Sequence, residues 1–364
     1  MSAQIQPVST GVPIKSLRLP IPTVLVVGNR DTTFAKKAWH TIKQAYTEQP
    51  VNFGPLPEKD VDHPEKVIIQ KNRSRVEGPA LYPFFLHDSG ETQSISFQNS
   101  LRRIFYYFDV WAVISCGAAG TTEGLVRGLA PIDIPLFITV DSTLSDHSRF
   151  SPSFLQLIPN NTLQAQAILG KVRMLFDKLH PNKKSFEVFF DRRNDEYVVD
   201  LVNALSSYCR EIERDISFSE ISNRTRLKAN NEPGILVCVG YYEMMKKLKK
   251  LANNHLIMSD GCYDDKVVRL LKFGNDNTYC WAHTLSEPAD YAQDAYLSVC
   301  DIWRRVTMEN RELSVRNIRL RQFLLLVRDA LETRLPSRYK FIGESNQRGG
   351  YVVEDVPQPT PKLT

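Results

Sequence analysis

The feature that most constrains the fold is a repeated alternation of short apolar runs with segments of helical periodicity. The first run, residues 24–27, is aliphatic and ends at Gly28. Apolar residues then recur at the 3.6-residue period of a helix, at Phe34, Ala38, Ile42 and Ala45. Further strands are predicted at 67–69, 84–86, 110–115 and 136–140. This alternation predicts an α/β fold built on parallel sheets.

The same alternation restarts in the second half of the chain. Asn160-Asn161-Thr162 is a good N-cap for a helix with apolar residues from Ile168 to Leu179. Strands are then predicted at 186–190, 235–239 and 256–258, with helices between them. Two longer helices, at 289–306 and 315–331, precede a final strand pair near 340–353. The sequence therefore predicts two successive doubly wound units followed by a C-terminal return.

Charge and hydropathy exclude two classes of protein. The net charge of +5 comes from 46 basic and 41 acidic residues scattered along the chain, whereas nucleic-acid binding needs clustered positive charge. The densest basic run, residues 246–250, lies in one helical pattern and is interpreted as a solvated helix face. No segment approaches the ~20 continuous apolar residues of a transmembrane helix. We expect neither a nucleic-acid partner nor direct insertion into a membrane.

The N-terminus and the cysteines bear on the compartment. Residues 1–22 are polar and contain several prolines, without the apolar core of a secretory signal. The six cysteines form no CxxC pair and no metal-ligand spacing, and several lie inside apolar patterns that are typical of buried thiols. We expect a cytoplasmic protein if Met1 is the native start, and a periplasmic or extracellular one if an upstream signal was removed.

Several segments, taken in order, resemble one family of binding proteins. Residues 110–145 form a strand, a small-residue helix start, a second strand and a Ser/Thr turn. Residues 154–168 resemble a crossover between lobes, and residues 190–197 resemble the strand-to-helix turn that opens the second lobe. Residues 240–244 and 259–261 resemble pocket segments. The ordered set is similar to the type I periplasmic-binding proteins, in the leucine/isoleucine/valine-binding branch. This resemblance implies two α/β lobes joined by three crossovers, with a ligand held between them.

The resemblance also implies boundaries along the chain. Lobe one is expected to span residues 22–158, and lobe two residues 159–283. The chain is then expected to return to lobe one over residues 284–336 and to lobe two over residues 337–355. Residues 1–21 are an N-terminal extension, and residues 356–364 form a proline-rich tail.

Hydroxyl residues follow two strands predicted for lobe one. In open parallel sheets ligands bind beyond the carboxyl ends of the strands, where helix N-termini offer free N–H groups. Thr121 and Thr122 lie at such a helix start, and Ser142 and Thr143 follow the next strand. We expect these four residues to bind an anion, which the resemblance implies is an α-carboxylate. The alternative is that they serve only as caps and turn formers.

An acidic residue and two tyrosines are the candidates in lobe two. Asp260 ends an apolar strand, where an uncompensated carboxylate would be costly. The resemblance implies that it pairs with the α-ammonium of an amino-acid-like ligand; the alternative is a simple Asp-Gly turn. Tyr197 and either Tyr241 or Tyr242 are expected to line the pocket, and we favour Tyr241.

Other functions are weighed against this hypothesis. The chain has no complete GxGxxG fingerprint, GxSxG elbow, Walker lysine loop or HExxH motif, and Cys116 has no base identifiable from the sequence. We therefore expect neither an enzyme nor a cofactor or metal. A transcriptional effector would carry an N-terminal helix-turn-helix, for which 22 residues are too few. The remaining alternative is an interaction or signalling module with a vestigial pocket, and a transporter or signalling protein is the partner considered.

Overall fold

The computed structural model describes the chain in separate stretches. They are residues 21–49, 81–88, 94–117, 119–129, 137–140, 154–179, 185–191, 196–212, 215–221, 234–248, 255–262, 265–271, 278–284, 286–309, 320–342, 345–346 and 351–356. The strand predicted at 67–69 and two candidate site residues, Ser142 and Thr143, lie outside them.

The first part of the chain alternates strands and helices as its apolar pattern predicts. The elements are β1 (Ile21–Gly28), α1 (Thr33–Thr47), β2 (Tyr82–His87), α2 (Ile95–Tyr107), β3 (Phe108–Ser115), α3 (Ala119–Leu129), β4 (Phe137–Thr139) and β5 (Phe154–Gln156). Helix α1 begins where the Thr32 side chain accepts a hydrogen bond from the Ala35 N–H, and Ser94 caps α2 in the same way.

The second part repeats this alternation, and the chain then returns to both sheets. The elements are α4 (Asn161–Leu179), β6 (Ser185–Phe190), α5 (Glu196–Tyr208), β7 (Asp215–Glu220), β8 (Ile235–Val239), α6 (Tyr242–Leu248), β9 (His255–Met258), α7 (Asp265–Val268), β10 (Tyr279–Thr284), α8 (Pro288–Glu309), α9 (Leu320–Arg334), β11 (Phe341–Ile342), β12 (Ser345–Asn346) and β13 (Tyr351–Asp355). Asn160 accepts a hydrogen bond from the Leu163 N–H at 3.3 Å, so the predicted cap of α4 is confirmed.

The strands form two sheets. The first has the order β11-β12-β5-β4-β3-β1-β2, and the second has the order β13-β10-β9-β8-β6-β7. Pairing is parallel except where β11 meets β12 and where β13 meets β10. Each sheet has its own hydrophobic core, centred on β1 and β3 in lobe one and on β6 and β8 in lobe two.

The chain passes between the two sheets three times. It leaves the first sheet after β5, returns from β10 through α8 and α9 to β11, and leaves again after β12 to form β13. The predicted α/β fold of two doubly wound lobes with three crossovers is therefore confirmed.

The structure differs from the sequence analysis in three strands and one assignment. Strands β5, β7 and β10 were not predicted. In β7, at the edge of the sheet, apolar and polar residues alternate and every residue is exposed or partly exposed. The pair β11–β12 joins the sheet of lobe one, although the sequence analysis assigns residues 337–355 to lobe two. These two strands have two residues each, which is too short for an apolar pattern to show which sheet they join.

Two other predictions concern the whole chain. All six cysteines are buried free thiols, which agrees with the prediction made for the several that lie within apolar patterns. In the part of the chain that the structure describes, no helix is both long and apolar enough to cross a membrane.

Candidate functional site

A fixed turn places Asp260 at the carboxyl end of β9. The strand ends at Met258, and the buried Ser259 donates its N–H to the carbonyl of Cys238 at 2.9 Å. The Ser259 hydroxyl accepts the N–H of Gly240 at 3.2 Å. Because both contacts are to the end of β8, the turn that begins at Asp260 is attached to two neighbouring strands.

The Asp260 carboxyl is held by two tyrosines from distant parts of the chain. Tyr197, in the first turn of α5, donates its hydroxyl proton to Oδ1. Tyr351, at the start of β13, donates to Oδ2 at 3.1 Å. The N–H of Gly261 donates to the Tyr197 hydroxyl oxygen at 3.3 Å. The sequence predicts that Tyr197 and Asp260 belong to one site, and in the structure the two side chains are in direct contact.

Burial raises the pKa of both groups in this contact. Burial raises the pKa of Tyr197 well above its usual value, and the negative charge of Asp260 raises it further, so Tyr197 remains a donor. Loss of water also raises the pKa of Asp260, while hydrogen bonds from Tyr197 and Tyr351 act in the opposite direction. The ionised carboxylate is therefore less favoured here than in water, and a cation beside it would offset that cost.

Tyr241 forms the accessible side of this cluster. Its side chain is 38% exposed, and its ring centroid lies 5.6 Å from that of Tyr197 at an interplanar angle of 42°. A Cβ added to Gly261 would lie 3.1 Å from the Tyr241 ring, so the ring packs on the backbone next to Asp260. The neighbouring Tyr242 ring is instead covered by the ammonium of Lys246, 4.5 Å from its centroid. The role of Tyr241 in lining the pocket stays a prediction.

The two threonines of lobe one have different surroundings. Thr121 is partly buried in the first turn of α3 and donates its hydroxyl to Asp88, which follows β2. Thr122 is fully buried, with its hydroxyl 3.0 Å from that of Ser115 and 3.3 Å from that of Thr139. Thr121 thus lies at the carboxyl end of the lobe-one sheet, whereas the Thr122 hydroxyl belongs to a buried group of three hydroxyls.

Two helices connect these clusters across the lobes. Helix α3, which has both threonines in its first turn, lies against α5, which has Tyr197 in its first turn. Each helix follows the carboxyl end of a strand of its own lobe, β3 for α3 and β6 for α5. Ser142 and Thr143, expected on the same side, fall outside the described residues.

Sequence reasoning missed three residues of this arrangement. Tyr351 and Gln164 contact the Asp260–Tyr197 pair, and Asp88 contacts Thr121. Asp88 follows the end of an apolar strand, as Asp260 does. An acidic residue at the end of an apolar strand is therefore a sequence signal that could have identified Asp88 as well. Gln164 and Tyr351 carry no such signal, because they reach the site only through the packing of α4 and β13.

The thiol considered as a nucleophile is not activated. Burial raises the pKa of Cys116 to about 12, so it remains a neutral thiol at physiological pH. Within the described stretches, no group of three or more His, Cys, Asp or Glu side chains is arranged to hold a metal ion.

Comparison with known proteins gives matches of structure alone. No family model matches the chain, and no curated protein matches its sequence. A leucine-binding protein from Thermotoga maritima superposes with a TM-score of 0.58 at 14% identity, covering 85% of this chain and 87% of its own. A type 1 periplasmic binding protein from Bordetella pertussis gives a TM-score of 0.62 at 10% identity, covering 95% and 99% of the two chains.

A third solved structure has the same two-lobed architecture. The branched-chain amino acid binding protein LivJ of Streptococcus pneumoniae, in complex with isoleucine, superposes with a TM-score of 0.57 at 10% identity. The match covers 92% of this chain and 100% of LivJ. This chain has the type I periplasmic-binding fold. In this fold, the cluster around Asp260 lies at the carboxyl end of the lobe-two sheet, and Thr121 lies at the carboxyl end of the lobe-one sheet.

Proposed function

We propose that the chain is a receptor that binds an amino-acid-like zwitterion between its lobes and closes by hinge motion, without catalysing a reaction. The observation that carries this proposal is the Asp260 carboxyl, held by Tyr197 and Tyr351 beside the accessible ring of Tyr241. A carboxyl in this position attracts a cationic group, and the rings exclude water around it. The neighbours with this fold include proteins solved with leucine and isoleucine.

The opposite lobe would bind the anionic end of the ligand. The first turn of α3 has free backbone N–H groups, which favour a carboxylate. Thr121 lies in this turn, and its hydroxyl would exchange its present acceptor, Asp88, for the carboxylate of the ligand. Thr122, which is buried, would support this turn from inside the lobe. Ser142 and Thr143, which follow the next strand, remain predicted ligand-binding residues. A ligand held in this way would favour the closed form of the two lobes.

Closure of the lobes would be detected by a protein partner. A transporter or a signalling protein fits this role, since either can discriminate the closed form from the open one. The second candidate function, an interaction module with a vestigial pocket, is favoured by one observation. The hydroxyls of Tyr197, Tyr351 and Thr121 already donate to carboxyls of the chain itself.

Thermal unfolding against the twenty amino acids and their analogues tests the proposal. The protein is first unfolded and refolded, which removes any ligand retained during purification. A ligand at about 100 times its dissociation constant should add roughly 2.7 kcal/mol of stability, enough to raise the melting temperature by several degrees. A panel with no shift, in a protein that has demonstrably refolded, would favour the interaction module.

Ligand affinity should depend on pH through Asp260. The ionised carboxylate binds the cation, and its pKa is raised, so affinity should begin to fall at a higher pH than for an ordinary aspartate. Stability of the unliganded protein should change in the opposite direction. The folded state holds the Asp260 proton more tightly than the unfolded state, so this group adds stability as pH falls through the raised pKa.

Calorimetric titration between pH 4 and pH 8 measures the first trend. The Asp260→Asn variant is the control, because its residual affinity should lose the pH dependence that comes from this carboxyl. Equal pH profiles for the variant and the native chain would show that another group controls binding.

A further inference from the structure

The hydrogen bonds at Asp260 restrict the kind of cation that fits beside it. Both carboxyl oxygens already accept phenol protons, Oδ1 from Tyr197 and Oδ2 from Tyr351. The Tyr197 oxygen also accepts the N–H of Gly261, which helps to orient its own proton toward the carboxyl. A primary ammonium has three N–H donors that each need an acceptor. A carboxylate has about four acceptor positions and the two tyrosines use two of them, so a primary ammonium could place at most two of its three N–H groups on this carboxyl unless it displaced a tyrosine.

Aromatic rings lie beside this carboxyl. The rings of Tyr197 and Tyr241 lie 5.6 Å apart, and the Tyr241 ring packs on the Gly261 backbone beside Asp260. Tyr351 brings a third ring to the other oxygen. Ring faces attract a cation through their quadrupole when it lies within about 6 Å of the centroid, and this attraction needs no N–H group. Three phenol rings around one carboxylate therefore suit a cation that has charge but no donors.

We propose that the ligand's cationic group is an N-alkylated ammonium, as in a trimethylammonium carboxylate, and not the primary ammonium of an ordinary amino acid. This inference rests on the proposed function, which places a zwitterion in the cleft. The methyl groups contact the tyrosine rings, and Asp260 supplies the opposite charge while Tyr197 and Tyr351 keep their hydrogen bonds. The carboxylate end of the ligand lies toward the first turn of α3.

Calorimetric titration of the refolded native chain tests this with ligand pairs that differ only in methylation. The pairs are glycine and trimethylglycine, alanine and trimethylalanine, and leucine and trimethylleucine. The trimethylated member of the preferred pair should bind about tenfold or more tightly than the primary amine. The neutral analogue 3,3-dimethylbutanoate has the shape of trimethylglycine without its positive charge, and it should bind more weakly than trimethylglycine.

Two tyrosine variants test how the selectivity arises. Tyr241→Phe keeps the ring and should keep the preference for methylation, whereas Tyr241→Leu should reduce it. Tyr351→Phe keeps its ring but removes the hydroxyl that occupies Oδ2. In Tyr351→Phe the primary amine should gain affinity relative to its trimethylated partner. A merely structural role for Tyr351 would weaken both ligands by the same factor.

The possible results separate this inference from the proposed function. Equal or tighter binding of the primary amines overturns the inference and leaves the zwitterion receptor standing. If neither series binds to the refolded protein, the proposed function fails, and the inference fails with it. A preference for trimethylated ligands that Tyr351→Phe reduces supports both.

Discussion

Replacement of Asp260 by alanine is expected to abolish ligand binding while leaving the fold intact. The carboxyl is the proposed partner of the ligand's cation, and it also positions Tyr197 and Tyr351 through their hydroxyls. Removing one member of a charge pair buried in an interface costs about 2–5 kcal/mol, which corresponds to a loss of affinity of about 30-fold or more. Calorimetric titration with the best ligand of the thermal panel measures this loss.

A second aspartate of lobe two provides the matched control. Asp215 lies exposed at the start of the edge strand β7, and Asp215→Ala should leave the affinity unchanged. Circular dichroism spectra of both variants should match the native spectrum, because the side chain of Asp260 is not part of either hydrophobic core. If Asp260→Ala bound the ligand with native affinity, Asp260 would not be part of the binding pocket.

Replacement of Trp111 by alanine should be the most destabilising of the changes considered, at about 3–5 kcal/mol. Trp111 is 1% exposed in β3, in the interior of the lobe-one sheet. Its ring lies 5.5 Å from that of Phe323 and 6.4 Å from that of Trp303, which come from α9 and α8. The variant leaves a cavity among these rings, and Asp109 loses the indole N–H that it accepts at 2.9 Å.

Urea unfolding followed by circular dichroism gives the loss of stability. Tyr106, which is 82% exposed on α2, provides the control, since Tyr106→Ala should change the free energy of unfolding by less than about 0.5 kcal/mol. An unchanged unfolding midpoint in Trp111→Ala would contradict the packing of lobe one described above. Two resolved transitions, with only one displaced, would show that the lobes unfold separately.

The fold was predictable where a buried strand is a continuous run of apolar residues. Strands β1, β3 and β8 read as continuous apolar runs because parallel strands in the middle of a doubly wound sheet contact helices on both sides. The edge strand β7 has no such run. Strand β10 ends in His283 and Thr284, and its neighbour β13 comes about 70 residues later in the chain, so local sequence does not reveal the pair.

The site was predictable only in part, for a related reason. Asp260 and Tyr197 both follow strands that the sequence reveals, and parallel strands bring such positions to one edge of the sheet. Tyr351 reaches Asp260 from 91 positions away, on a strand that runs antiparallel to its neighbour. Gln164 points into the cluster from a helix that begins at the crossover between lobes. Neither residue type nor spacing indicates these two contacts before the chain is folded.

The third passage of the chain between the lobes has a consequence for synthesis on the ribosome. Asp260 is translated 91 residues before Tyr351, the partner that donates to its second oxygen. At the usual rates of translation this interval lasts roughly 5–20 s. During that time the nascent lobe-two sheet also lacks β13, because this strand is the last of the sheet to be made. A growing chain therefore cannot capture ligand in the manner proposed until its final strand has left the exit tunnel.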